Sequence, residues 1–587
     1  MVASNVIGRV GGLAVALGIG AAAFSGASVA WADAPAGTET PSAGPVPSRA
    51  PSGATARRES RSGTIRSAAN TLPRISSGQT RTSAAPARVV AAVVPSAPVD
   101  SPVEWTALSS ARRSASVTRS AAVASTAAAT LPFVMGPSGV PDPSASYVNT
   151  VMQWYVTPNS PGGVTTAQVV FTPEGLYPIT GVKSLPLNTS VDQGMNILAD
   201  TMDLVPSGTP TTVFGYSQSA IIGSLLEMGY VSPTSPYKNP PPAIPDGLKP
   251  SIEFIFVGNE MNPNGGFLSR FPDLNLPSLG IPFYGPTPEN AYPTTNYTRE
   301  YDGFADFPRY PLNFLADLNA GLGIVFVHTK YAPAENCTTF CLTQQEVEDA
   351  IALPSTSSTQ NYFFMPTENL PLLQPLRILP LIGNPIADLI QPVLKVIVNL
   401  GYGDPAHGFT SATQPDANVL VPFGLFPDVS PLEVLSQLVA GVQQGVRDFL
   451  ADFGPSGSIA REISSISLPA LSFTLPTAGN VITAIQNVIT AIADRISASA
   501  AGLYAALLPT ADIINAIAIS LPAYDINLVL DGVQQAISGQ PIKGLVNAIG
   551  LPIAADVGLV TTASLIGVLV WLQGAVAVVA PNYVIGS

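Results

Sequence analysis

The sequence is poor in the residues from which metal centres and imidazole catalysis are built. Its 587 residues include two cysteines, Cys337 and Cys341, and two histidines, His328 and His407. They show no paired zinc-ligand spacing, so a metal site would need long-range assembly that no motif announces. No cofactor is expected either. In an exported protein, two cysteines separated by Thr-Thr-Phe are expected to close a small local disulfide ring. The histidine shortage also narrows the chemistry, because any serine-histidine-acid relay must use one of only two bases.

Charge is scarce as well, and unevenly divided. The net charge is −13, yet residues 1–120 hold twelve Arg, no Lys and five acids, which is +7 and leaves −20 for the remainder. Arg9, an apolar run from Val10 and the small-x-small sequence Ala30-Trp31-Ala32 predict a secretory signal peptide over residues 1–32. Residues 33–125 are rich in Ser, Ala, Pro and Arg and have few large apolar side chains. Such a segment cannot bury enough surface to offset its ordering entropy, so it is expected to be a disordered linker. Its arginines are not interleaved with aromatics, which argues against a nucleic-acid partner.

Beyond the linker, apolar strand-like runs alternate with helical periodicity. Strands are predicted over 131–135, 167–172, 211–216, 251–257 and 295–301, and helices over 144–155, 190–205 and 220–228. This alternation predicts an α/β fold of the α/β-hydrolase type, a mostly parallel sheet with helices on both faces, over residues 131–402. Residues 403–587 read as an apolar, helix-rich C-terminal region. Within it, residues 557–580 carry no charge and are long enough to cross a bilayer, though Thr561, Thr562, Ser564 and Gln573 dilute the run. A membrane span and a buried or surface-associated helix both remain open, as does the oligomeric state.

The chemistry concentrates at Gly215-Tyr216-Ser217-Gln218-Ser219, where a strand ends and a helix begins, the setting of a nucleophile elbow. Ser217 is the expected nucleophile. Gly215 meets the need for a small residue two before it, and Ser219 stands in for the commoner second glycine. His328 is the expected base and His407 the reserve. The acid is sought in Tyr301-Asp302-Gly303-Phe304-Ala305-Asp306; Asp302 is preferred, directly after a predicted strand, with Asp306 as the alternative. The oxyanion hole is expected from the N–H of Gln218 and from the Gly136-Pro137-Ser138-Gly139 turn, where Pro137 has no N–H and Ser138 is chosen.

These residues, with Thr172-Pro173-Glu174-Gly175, Ser190-Val191-Asp192-Gln193-Gly194, Pro311-Leu312-Asn313 and Val327-His328, resemble the PE-PPE domain family of mycobacterial serine hydrolases, cutinase-like members of the α/β-hydrolase fold. The resemblance covers about residues 131–402. It implies esterase- or lipase-like chemistry on acyl esters, with Ser217 and His328 on matching positions. Some members resemble acyltransferases of trehalose-type envelope lipids, so acyl transfer to a sugar hydroxyl is the alternative. A third reading is a non-catalytic envelope-binding protein that keeps the fold. The chain departs from the family in having a predicted signal peptide and linker where a Pro-Glu or Pro-Pro-Glu module often stands. It also has Gly-Pro-Ser-Gly in place of Gly-Gly-Thr-Gly. Secretion or cell-envelope association, with possible contact to membrane through the C-terminal region, completes the expectation.

Overall fold

The computed structural model describes residues 128–232, 241–289, 292–334, 337–409, 414–465 and 481–579. The predicted signal peptide and linker lie outside them. A seven-stranded sheet organises the first part of the described chain. Its strands are β1 (Leu131–Val134), β2 (Gln168–Val169), β3 (Thr211–Tyr216), β4 (Ile252–Val257), β5 (Thr294–Arg299), β6 (Ile351–Leu353) and β7 (Gln360–Met365), in the spatial order β2-β1-β3-β4-β5-β7-β6. Every pairing is parallel except that of β6 with β7.

The central strands are continuous apolar runs because both faces are covered. Along β3, Val213 enters one core cluster while Phe214 and Tyr216 enter the other. Along β4, Phe254 and Phe256 face the first, and Ile255 and Val257 the second. The first core is closed by helices α2 (Leu187–Met202) and α3 (Gln218–Met228), and the second by α1 (Ala145–Val151). A glycine in left-handed conformation, Gly229, ends α3 and returns its N–H to Leu225 and Leu226 carbonyls.

One sequence expectation needs correction, and the structure adds elements that the sequence pattern had not assigned. The strand expected over 167–172 shrinks to two residues at the sheet edge, paired only to Phe133 and Val134, with Phe171 exposed beyond it. An edge strand lacks a second neighbour to hold its ends, and Pro173 prevents extension. Strands β6 and β7 were not anticipated, since β6 is only three residues long before Pro354 and β7 opens on the polar pair Gln360-Asn361. The apolar segment before His328 is the end of helix α4 (Phe314–Phe326), started by Asn313, whose side chain accepts the Ala316 N–H at 3.3 Å.

After α5 (Gly383–Leu400) the described residues up to Ser430 form turns and irregular chain, and from Pro431 onward the described chain is mainly helical, as expected: α6 (Pro431–Asp452), α7 (Val481–Asn515), α8 (Leu521–Ile537) and α9 (Pro541–Val579). Among the described residues, buried side chains of these helices pack with the α/β part, Ile513 of α7 and Ala516 just beyond it with Tyr177 and Leu279. Leu521, Tyr524, Ala554, Ala555 and Leu559 enter the same apolar cluster as the sheet and α2. Helix α9 lies on α4, where Leu565 fills the space in front of Gly321.

The loop after β5 presses against α4 through glycines. A Cβ on Gly303 would stand 2.0 Å from the Ala320 carbonyl oxygen, and one on Gly323 only 1.8 Å from that of Tyr301. Gly323→Ala should therefore destabilise the protein by about 1–3 kcal/mol of overpacking, although alanine is intrinsically the better helix former by about 0.5–1 kcal/mol. A urea midpoint equal to or above the wild type's would refute this close approach.

Candidate active site

Ser217 sits between β3 and α3 with φ 56° and ψ −122°, a strained conformation for a residue with a side chain. The turn is possible because Gly215 has no Cβ: one placed there would meet the Ser219 carbonyl oxygen at 2.6 Å and the Ala220 backbone at 2.8 Å. Ser219 explains itself. Its hydroxyl folds back to accept the Tyr216 N–H at 2.8 Å and to donate to the Tyr216 carbonyl at 3.0 Å, so the side chain that replaces a glycine ties the elbow together.

His328 occupies a short 3-10 turn directly after α4. Its Nε2 is 2.8 Å from Ser217 Oγ, and its Nδ1 is 2.8 and 2.9 Å from the two carboxylate oxygens of Asp302. All three side chains are buried, Ser217 and Asp302 almost completely. Asp302 also accepts the N–H groups of Phe304 at 2.9 Å and Ala305 at 3.2 Å, and the Tyr331 hydroxyl at 2.8 Å. The Phe304 ring stands edge-on to the imidazole at 4.9 Å.

The other acid and the other base lie elsewhere in the hydrogen-bond network. Asp306 accepts the Tyr301 N–H at 3.0 Å and thereby stabilises Tyr301 at φ 66°, the backbone turn from which Asp302 departs. His407 stacks on Phe409 with centroids 3.9 Å apart and has Nε2 3.5 Å from Asp404 in a loop after α5. Of the two expected oxyanion residues, Gln218 is the first residue of α3, where helix N–H groups have no partner within the helix. Its side-chain amide donates to Ser138 Oγ at 3.1 Å and to the Gly175 carbonyl at 3.1 Å, which draws the turn after β1 against the elbow. Cys337 and Cys341 are joined by a disulfide.

Two residues that sequence reasoning passed over stand in this site. Glu260 Oε1 accepts from Ser217 Oγ at 3.0 Å, and Tyr331 links the Asp302 carboxylate to the Arg299 N–H at 2.8 Å. Glu260 had one legible signal: it follows β4 closely, and sites on open parallel sheets gather beyond the carboxyl ends of the strands. Tyr331 had none, since three residues past a histidine is not a spacing that chemistry selects.

The electrostatics follow from burial. Desolvation pushes Glu260 up to about 7, moderated by the His328 charge and the Ser217 hydrogen bond. It pushes Glu174, hydrogen-bonded to Thr172, up to about 8. For Asp302, burial opposes the charge, but His328, the Tyr331 hydroxyl and the Phe304 N–H outweigh it and hold the carboxyl below its usual range. For His328, burial favours the neutral ring, yet the charge and hydrogen bond of Asp302, with the charge of Glu260, raise its pKa above the ordinary 6.5.

The parallel sheet and the sharp turn after β3 define a protein of the α/β-hydrolase type. Residues 163–403 match the PE-PPE domain, and the chain carries that domain. Among relatives in Mycobacterium tuberculosis, it is 44% identical to the PPE family protein PPE28 over 75% of this chain and 65% of that one. It is 38% identical to Esterase PE16 over 53% of this chain and 54% of that one. It is 26% identical to Diacyltrehalose acyltransferase Chp2 over 40% of this chain and 62% of that one. The chain thus spans less than two thirds of each of these three relatives. No solved structure matches it.

Tyr331→Phe removes a donor from Asp302 and strands the buried Arg299 N–H. It should cost about 1–3 kcal/mol of stability, the penalty of an unsatisfied buried donor. An unchanged chemical-denaturation midpoint would contradict the bridging role.

Proposed function

We propose that the protein is a serine esterase, lipase-like in its preference for acyl esters, working through an acyl-enzyme on Ser217. The observation that carries this reading is the continuous hydrogen-bond chain from Ser217 Oγ through the His328 ring to Asp302. The similarity to Esterase PE16 supports it. In the first half-reaction Ser217 Oγ bonds to the acyl carbon while His328 Nε2 takes the hydroxyl proton. Asp302 fixes the tautomer that leaves Nε2 free and stabilises the imidazolium. His328 then returns the proton to the leaving alcohol. Water, deprotonated by the same nitrogen, releases the acid and restores Ser217. The N–H groups of Gln218 and Ser138 are proposed to receive the negative charge on the carbonyl oxygen.

A second reading, acyl transfer to a sugar hydroxyl, is favoured by the similarity to Diacyltrehalose acyltransferase Chp2. It uses the same acyl-enzyme with an alcohol in place of water. Product analysis with and without a trehalose acceptor separates the two. A fluorophosphonate that fails to label the folded protein would leave only the non-catalytic envelope-binding reading.

Export and envelope association belong to the same proposal. The predicted signal peptide and the disulfide support export. Among the described residues, the helical segments Ala493–Ile537 and Pro541–Val576 are long and apolar enough to cross a membrane. Lipid or acyl ester is the proposed substrate class, and nucleic acid is not expected.

Ser217→Ala and His328→Ala should each lower ester turnover by about 10⁴-fold or more, because members of such a relay act as a unit. Asp302→Asn should do so with the fold intact. His407→Ala should be nearly silent, and Asp306→Asn should act mainly on stability. A dead His407 variant beside an active His328 variant would reverse the assignment.

The pH dependence has a definite sign. Only neutral His328 can accept the Ser217 proton, and its pKa is raised from 6.5. The rate of kcat/KM should accordingly fall on acidification through a midpoint above 6.5, and full activity persisting to pH 5 would contradict the charge arrangement around the ring.

A further inference from the structure

Ser217 Oγ has one proton and two acceptors within hydrogen-bond reach: His328 Nε2 at 2.8 Å and Glu260 Oε1 at 3.0 Å. A relay of serine, histidine and aspartate has no need of the second. Glu260 is buried to the same degree as the residues it touches, 2% exposed beside Ser217 at 1% and His328 at 5%. Water therefore does little to screen its charge from the ring. Four groups face it, each from a different segment. They are Ser217 at the elbow, His328 after α4, Asp302 in the loop after β5, and Glu174 in the segment after β2.

We propose that Glu260 is a second proton acceptor on the nucleophile, which shares a single proton with His328 and so sets the pH at which the serine becomes reactive. The inference rests on the serine-esterase reading above. Two arrangements of that one proton compete. With Glu260 protonated, its O–H donates to Ser217 Oγ, the serine hydroxyl donates to neutral His328, and attack can proceed. With Glu260 ionised and His328 protonated, Nε2–H donates to Oγ and the serine hydroxyl donates to Glu260. His328 is then already protonated and cannot take the serine proton or pass it to the leaving alcohol, so the relay is silent. The two arrangements hold the same atoms and the same net charge and differ only in where the proton sits, so their ionisations belong to the pair and not to either residue. Removing the proton altogether leaves both carboxylates charged and His328 neutral, and the serine is again reactive.

The carboxylate charge of Glu260 thus delays the release of the proton from His328 as pH rises. Glu260→Gln keeps the shape and a hydrogen-bonding group at Oγ but removes that charge. The acid limb of kcat/KM, and of fluorophosphonate labelling, should move about one pH unit lower than in the wild type, the lower end of the range expected for a charge at this distance. Glu260→Asp keeps the charge on a shorter side chain, withdrawn from Oγ, and should move the limb part of the way in the same direction. A purely structural glutamate would change the height of the profile or the melting temperature without displacing the limb. Each variant is first shown to be folded by circular dichroism, and either one that folds decides the question. Acid limbs superimposable on the wild type's, in a protein whose wild type labels with fluorophosphonate at Ser217, overturn the role of Glu260 alone. A wild type that is folded but does not label overturns the serine-esterase reading and this inference with it.

Discussion

The hydrogen bond between Asp302 and His328 is the contact on which the rest of the site depends. It binds the turn after β5 to the end of α4, two segments that approach only because Gly303 and Gly323 leave room for a carbonyl oxygen where a Cβ would stand. Once Nδ1 is held there, the ring has one remaining nitrogen, and the sharp turn after β3 sets the Ser217 hydroxyl against it. Tyr331 braces Asp302 from behind, and Asp306 braces the backbone of Tyr301 one residue before it. Precision at the imidazole is therefore supplied by residues that do not touch the ring's Nε2.

The buried charges around the ring oppose one another in an informative way. Burial alone would neutralise His328, Asp302 and Glu260 alike. Asp302 escapes because it accepts four donors, while Glu260, which gains chiefly from His328 and the Ser217 hydroxyl, does not, and its carboxyl rises to about 7. Two carboxylates near one imidazole thus differ in role because they differ in the number of hydrogen bonds their charged form receives.

The C-terminal helices change how the architecture is divided. Composition separates them sharply from the α/β part, yet Leu521, Tyr524, Ala554 and Leu559 complete the same core, and α9 packs on the helix that delivers His328. Apolar side chains such as Ile526, Leu530, Leu545 and Ile549 remain exposed on their other faces.

Much of the site was legible from local chemistry. A glycine, a serine and a short polar helix start after an apolar strand define an elbow whatever the surroundings, and two histidines in the whole chain leave little choice of base. The positions of β1, β3 and β4 were legible as runs that are apolar because both of their faces are buried. What the tertiary structure decided was everything that depends on distance between segments remote in sequence. Asp302 and Asp306 sit four residues apart in the same loop, and only the approach of α4 determines that the first meets the imidazole while the second turns to the backbone. Glu260 carries no motif; it becomes part of the site because β3 and β4 are neighbours in register, a pairing set by long-range packing that no local pattern encodes.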